Sequence, residues 1–327
     1  MNKLLNRINW IDQAKGIGIL LVVLGHMNIP LNLSVFIFSF HMPLFFFISG
    51  FLFNDKKYAK DLKQVLVSKL RTLVWPFLTF TFLGLMFLVL TKNYSEITNF
   101  NWRDFIMGNK SINAPLWFLT ALFSTEVIFS QIVRLFKAKT LPVIITVLLL
   151  ATIGFTNIYT VKLSLIFNIH IALIAQLFFL FGWLFKKFNL TDSFKKTSHL
   201  LAASVFVFIL LVMSSFYNSR LDMIESNYGN LFLTFTSAFL GILLVVFLSK
   251  LILNFRFTNK LFEYLGKNSL IILGTHVIIA PFIVWLFGAV PYRLDRVLII
   301  LAIYLSIEFF NRFFPLFTRL KLTKYKK

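Results

Sequence analysis

Residues 10–27 read Trp-Ile-Asp-Gln-Ala-Lys-Gly-Ile-Gly-Ile-Leu-Leu-Val-Val-Leu-Gly-His-Met, an apolar stretch that also carries Asp12, Lys15 and His26. An α-helix turns about 100° per residue, so His26 returns to within about 20° of the direction of Lys15 and about 40° of Asp12. The three side chains therefore share one stripe, on which Lys15 and His26 lie about 16 Å apart. Because ionisable groups within a bilayer are costly and usually face a bundle interior or a wet cavity, the stretch predicts a polar track across a membrane.

The composition assigns the class of protein. Of the residues, 58% are hydrophobic and 14% are charged, and phenylalanine occurs 43 times. A soluble core of this size cannot hide so much apolar surface, which predicts a protein embedded in the lipid bilayer. The chain has no cysteine, which excludes disulfides and thiolate metal sites, and we expect no metal. The net charge of +21 could indicate nucleic acid, but positive-inside topology explains it better, so no nucleic-acid partner is expected.

The predicted fold is an all-α polytopic membrane protein with about ten transmembrane helices. Most of the apolar stretches reach the ~20 residues that a helix needs to cross a bilayer. Neither internal repeats nor a separate soluble segment is recognisable, so residues 1–327 are expected to form a single integral-membrane domain without a fused soluble domain. The spans are predicted at 10–28, 34–53, 72–91, 114–133, 141–158, 166–185, 199–216, 230–249, 268–287 and 297–316.

The charges between the spans predict the orientation. Alternate connections, together with both termini, carry most of the lysines and arginines. By the positive-inside rule these connections are cytoplasmic, so both termini lie inside, as an even number of spans requires. Lys15 is then near the cytoplasmic surface and His26 is near the outer end of the first helix. In the remaining connections the lysines and arginines are only Lys92, Arg103, Lys110, Lys162, Arg220, Arg293 and Arg296.

A second histidine lies at a similar predicted depth. His41 is in the outer half of the second span, and Pro43, two residues later, is expected to loosen the local backbone hydrogen bonds. The two imidazoles could share a site or be separate packing residues. Lys15 could likewise extend to the lipid headgroups, and Asp12 could be a charge that the helix dipole favours. The residue pattern alone leaves these alternatives open.

Several blocks of the sequence resemble membrane acyltransferase family 3. The first is Asp12-x-x-Lys15-Gly16 followed by Gly25-His26, and the second is Phe-His-Met-Pro-Leu-Phe-Phe-Phe-Ile-Ser-Gly-Phe-Leu at 40–52. Pro-Leu-Trp-Phe-Leu-x-x-Leu at 115–122 and Leu-Gly-Lys-Asn-Ser at 265–269, leading to His276, are further matches. The resemblance extends over about residues 8 to 315. The basic residue of the family, which precedes its histidine by ten intervening residues and is more often arginine, is matched by Lys15.

The resemblance implies an integral-membrane O-acyltransferase of envelope carbohydrates, with an acyl-CoA donor on the cytoplasmic side and an acceptor sugar outside. Phosphates need cations, so Lys15, Lys69 and Arg71, with Asp12, are the predicted donor-binding residues. A sugar hydroxyl needs a base of near-neutral pKa, a role that suits imidazole. His26 and His41 are the predicted catalytic residues, with His26 acting either as this base or as an acyl carrier.

Three further residues are predicted to bind substrate. Trp117 could stack against a sugar or the pantetheine arm, or belong to the interfacial aromatic belt. Glu126, inside the fourth span, could orient an imidazole or pair with a cation, and His276 is a candidate through the resemblance. The resulting hypothesis is a bacterial cytoplasmic-membrane enzyme that transfers acetyl from acetyl-CoA to an envelope or exported polysaccharide. The alternative is a transporter or export component for a polysaccharide or an anion, which would more often show broken helices in paired repeats.

Overall fold

The computed structural model describes residues 9–55, 62–93, 101–108, 113–193, 196–288 and 292–314. Within these ranges the regular secondary structure is helical, apart from one isolated antiparallel bridge between Asp222 and Asn227. The prediction of an all-α protein is therefore confirmed for the described residues.

The described helices are numbered in chain order. They are α1 (Asn9–Gly25), α2 (Leu31–Phe38), α3 (His41–Leu52), α4 (Leu62–Lys69), α5 (Trp75–Leu90), α6 (Trp102–Met107), α7 (Trp117–Leu135), α8 (Thr140–Thr156), α9 (Ile169–Lys187), α10 (Thr197–Phe216), α11 (Leu231–Ile252), α12 (Arg256–Lys267), α13 (Ser269–Phe287) and α14 (Tyr292–Phe313). Turns of π-helix at Leu70–Val74 and Asn157–Val161 join α4 to α5 and follow α8. Turns of 3₁₀-helix at Ala114–Leu116 and Ile166–Asn168 lead into α7 and α9.

Among the described residues, eight helical segments are long and apolar enough to cross a membrane. They coincide with the second to ninth predicted spans, although the third begins earlier than predicted, at Leu62. The first and tenth predicted spans correspond to α1, which has only 17 residues, and to α14. A multi-pass membrane protein is thus supported, whereas the count of about ten spans and the cytoplasmic termini stay predictions. The eight segments are Leu31–Leu52, Leu62–Leu90, Ala114–Leu135, Thr140–Val161, Ile166–Lys187, Thr197–Phe216, Leu231–Ile252 and Ser269–Phe287.

The second span is divided into two helices, which determines where His41 lies. α2 ends at Phe38 and α3 begins at His41, because Phe40 has non-helical backbone angles (φ −144°, ψ −14°). Pro43 is the third residue of α3, where a missing N–H costs no intrahelical hydrogen bond. The break agrees with the expectation that Pro43 loosens the local backbone, because Pro43 has no N–H to donate to the Ser39 carbonyl four residues earlier and its ring crowds that carbonyl.

Connections from alternate spans meet at the two ends of the helix bundle. At one end, the Lys186 Nζ donates to the Phe53 carbonyl at 2.8 Å and the Lys187 Nζ to the Ala138 carbonyl at 2.8 Å. At the other end, Asp104 and Glu225, from two different connections, line one cleft. This grouping agrees with the two sets of connections in the charge map. We call the second end the outer face, the side to which the charge map assigns it.

Helix α1 is held tightly against α12 on the opposite side of the bundle from the outer face. Gly16 faces the backbone of Phe262, and Gly266 faces the backbone of Asp12, each too closely to leave room for a Cβ atom. Small residues allow such close approach between helices in membranes. α1 also contacts α3, α11 and α13. Its position between these helices fixes the levels at which Lys15 and His26 lie.

Candidate active site

His26 lies in the turn that follows α1, and its side chain is exposed. Its Nδ1 is 2.8 Å from the carbonyl oxygen of Val22, one helical turn earlier. A carbonyl oxygen can only accept a hydrogen bond, so Nδ1 must carry the proton. In the neutral ring this leaves the lone pair on Nε2. His26 is therefore held in the tautomer whose Nε2 can take a proton from another group.

His41 and His276 are held in the same tautomer, but both are buried. The Nδ1 of His41 lies 2.9 Å from the Ile37 carbonyl, and that of His276 lies 2.8 Å from the Ile272 carbonyl. The His276 Nε2 is buried, and no hydrogen-bond partner is described for it. The His26 and His276 rings meet edge to face, with centroids 5.1 Å apart and an interplanar angle of 75°. Packing of α1 on α13 thus places two predicted site histidines in contact.

A cavity of about 180 Å³ opens beside His26 at the outer face. His26, His41 and Trp117 all line it, so three of the residues predicted from the sequence meet at one place. Trp117 is almost fully buried, as expected of a wall of the cavity and not of a side chain in an interfacial belt. His276 contributes to this place through its contact with His26.

The connection 217–230 covers the cavity, and sequence reasoning gave it no role beyond counting Arg220 as an outer charge. The Arg220 guanidinium lies 3.6 Å from the centroid of the Phe38 ring, close enough for a cation–π interaction. Its Nη2 is 3.5 Å from the Asp222 Oδ2. Buried Leu221 and Met223 anchor the same segment. The alternation of charged and apolar residues from 220 to 223 was the signal available in the sequence.

The family profile described as "Acyltransferase domain" matches residues 8–309. The chain belongs to membrane acyltransferase family 3. The match extends from the residue before α1 into α14, and so includes each helix that carries a predicted site residue. Among curated proteins and among solved structures, no match to this membrane acyltransferase is found.

Two predicted site residues of the acyltransferase pair with each other, away from the histidines. The Lys69 Nζ forms an ion pair with the Glu126 Oε2, and the side chains are only 16% and 7% exposed. Glu126 follows Trp117 by nine residues on α7, which separates the two by about 14 Å along the axis. Of the two roles predicted for Glu126, this geometry favours pairing with a cation.

The other residues that are predicted to bind the acyl donor also lie away from the cavity. Asp12 and Lys15 are half-buried on α1, about four and three turns before His26. Arg71 is exposed in the π-helical turn Leu70–Val74, a type of turn that is frequent at functional sites. None of these side chains lines the cavity beside His26 or the outer cleft that Asp104 and Glu225 line. The structure therefore brings the predicted catalytic residues together and places the residues predicted to bind the acyl donor several helical turns away from them.

Proposed function

We propose that this membrane acyltransferase is an O-acetyltransferase of the bacterial cytoplasmic membrane. It transfers acetyl from cytoplasmic acetyl-CoA to a hydroxyl of an envelope or exported polysaccharide. The observation that carries the proposal is the geometry of His26. Its Nε2 lone pair is available, its ring is exposed, and it lines a cavity with His41 and Trp117. Family membership supports acyl transfer, and the position of the cavity at the outer face supports an acceptor that arrives from outside.

In the proposed mechanism, His26 acts as the general base. Its Nε2 takes the proton of the acceptor hydroxyl while that oxygen bonds to the acyl carbon. The bond from the acyl carbon to the donor sulfur breaks, and the proton passes from His26 to the departing thiolate. Acyl-CoA supplies the activated acyl group. General-base catalysis of this kind typically contributes about 10²–10⁴-fold to the rate.

Lys15 and Arg71, which lie away from the cavity beside His26, suit a donor that carries phosphates. Arg71 is exposed and Lys15 is half-buried, and guanidinium and ammonium groups are the side chains that bind phosphates. Lys15 lies about 16 Å along α1 from His26, a separation comparable with a long, thin pantetheine arm. Lys69 forms the buried ion pair with Glu126, and we give this pair a structural role. We assign the phosphate contacts to Lys15 and Arg71, because of their position and residue type.

Sealed membrane vesicles test the direction as well as the reaction. Radiolabelled acetyl-CoA, which does not cross membranes, is added to inverted and to right-side-out vesicles that contain the protein. Label should enter polysaccharide esters only in inverted vesicles, and vesicles from a strain without the protein give the background. Labelling that is equal in both orientations would contradict a cytoplasmic donor. Unlabelled polysaccharide in every vesicle, with export reduced in the strain without the protein, would favour the export alternative.

A further inference from the structure

A second, larger cleft opens on the outer face next to the histidine cavity. Its volume is about 600 Å³, within the ~300–1,000 Å³ range of cavities that hold small-molecule ligands. Three segments of chain form it, namely α6, the connection between α8 and α9 together with the first turn of α9, and the connection 217–230. The polar residues that line it include Asp104, Asn157, Tyr159, Lys162, Ser164 and Glu225.

The cleft and the histidine cavity are neighbours. Ile224 lines both of them, and the next residue, Glu225, lines the larger cleft. A chain molecule that lies in the cleft can therefore extend past Ile224 toward His26. This arrangement suits a polymeric acceptor, because one segment is held while a neighbouring hydroxyl reaches the base.

His170 gives the cleft a fixed hydrogen-bond donor. The side chain is 6% exposed, and its Nδ1 accepts a hydrogen bond from the Leu165 N–H at 3.2 Å. Since Nδ1 accepts, the neutral ring carries its proton on Nε2. This is the opposite tautomer to that of His26. His26 thus presents a lone pair on its Nε2, whereas His170 presents an N–H on its Nε2.

The remaining lining chemistry is that of a carbohydrate site. Tyr159 is 52% exposed, and its ring stacks on Phe155 at 6.4 Å and 17°, which holds it as a flat platform for an amphipathic ligand. The charged side chains are the carboxylates Asp104 and Glu225 and the ammonium of Lys162. Such a mixed set is not the cationic surface that a polyanion requires. Hydroxyl and amide groups match it better.

We propose that this cleft binds an uncharged segment of the acceptor glycan, a few sugars long, and so positions one of its hydroxyls at His26. The inference rests on the proposed function and adds where the acceptor is bound and which class of polymer it is. Its residues hold the glycan and do not take part in the chemical step.

Filling the cleft tests the inference. Ser164→Trp places a bulky ring in the cleft, whereas Thr160→Trp places the same ring on the same connection at an exposed position that lines neither cavity. We expect Ser164→Trp to lower the ester content of the purified envelope polysaccharide at least tenfold, and Thr160→Trp to leave it within twofold. We expect acetyl-CoA to raise the melting temperature of both purified variants and of the wild type equally, since donor binding is separate. Normal esterification by Ser164→Trp would overturn the inference.

A second pair of variants removes a contact without adding bulk, and so covers the case in which Ser164→Trp fails to fold. Tyr159→Ala should lower esterification severalfold, whereas Tyr217→Ala, which removes an 81% exposed tyrosine outside the cleft, should not. Equal esterification by these two variants would also overturn the inference. If ester content does not depend on the wild-type protein at all, the proposed function fails instead.

The charge class of the acceptor is tested on the product. The radiolabelled polymer is released from any anchor by mild acid and passed over an anion-exchange column. Label in the unretained, neutral fraction is the expected result. Label confined to a retained polyanion would overturn the assignment to an uncharged glycan while leaving the acyltransferase reaction intact.

Discussion

Replacing His26 by glutamine separates its chemistry from its packing. A glutamine amide can still donate a hydrogen bond toward the Val22 carbonyl, so the turn after α1 should persist. What disappears is the Nε2 lone pair and the edge-to-face contact with His276. Loss of a ring contact of this kind costs about 0.5–1.5 kcal/mol of folding free energy. Loss of a general base lowers the rate about 10²–10⁴-fold, or about 2.7–5.5 kcal/mol in the activation barrier.

The assay is acetyl transfer in inverted vesicles, with each rate divided by the amount of inserted protein. We expect His26→Gln and His26→Ala to be inactive to a similar degree, because neither can take a proton at neutral pH. His41→Gln is the comparison, and it should retain more activity, since the His41 ring lines the cavity but is only 2% exposed, whereas His26 is exposed. A well-inserted His26→Gln protein with a normal transfer rate would refute the assignment of His26 as the base.

Three further predictions address the donor level, the buried ion pair and the topology. Lys15→Ala should weaken acetyl-CoA binding about 10- to 100-fold, because a hydrogen bond to a charged group contributes about 1.5–3 kcal/mol. Lys15→Arg should retain much of the affinity, since it keeps the charge. Acetyl-CoA titrations measure both variants, and wild-type affinity in Lys15→Ala would remove Lys15 from the donor site. Lys69→Met should destabilise the protein by about 3–5 kcal/mol because it leaves the buried Glu126 carboxylate without its cation. The double variant Lys69→Met/Glu126→Leu should recover much of this loss. Thermal unfolding in detergent measures both variants, and unchanged unfolding of Lys69→Met would show that the pair is not structural. Because the chain has no cysteine, single variants can report sidedness: Tyr217→Cys should react with an impermeant maleimide added to intact cells and Asn254→Cys should not, and the reverse pattern would invert the whole mechanism.

Much of the fold could be predicted because the relevant signals are local in the chain. The apolar stretches gave the positions of the helices that became α3, α7, α9 and α13. Membrane helices satisfy their own backbone hydrogen bonds, so their positions depend little on their neighbours. Pro43 indicated a loosened backbone near His41, but the division of the second span into two helices was not predicted. Phe40 leaves the helical conformation inside a sequence that is apolar on both sides, so hydropathy does not mark the break.

The candidate site was predicted only in part. The stripe on the first predicted helix pointed to His26 and Lys15, the similar depth of the second span pointed to His41, and the family blocks added Trp117 and His276. The cover formed by Arg220 and Asp222 was not predicted, because the alternation at 220–223 indicates that this segment buries one side but not which helices it crosses. The Lys69–Glu126 pair was left open for the same reason, since many lysines could have reached Glu126 from the sequence alone.

The sequence by itself indicated a bundle of membrane helices and predicted that Lys15 and His26 lie about 16 Å apart along the first of them, although that helix ends one residue before His26. These properties follow from hydropathy and from the regular rise of the helix. Only the tertiary structure decided that His276 would touch His26, that Glu126 would pair with Lys69, and that the connection 217–230 would cover the cavity. Helices in a bilayer associate through packing and interhelical hydrogen bonds between residues distant in the chain, and that complementarity exists only once the helices are assembled.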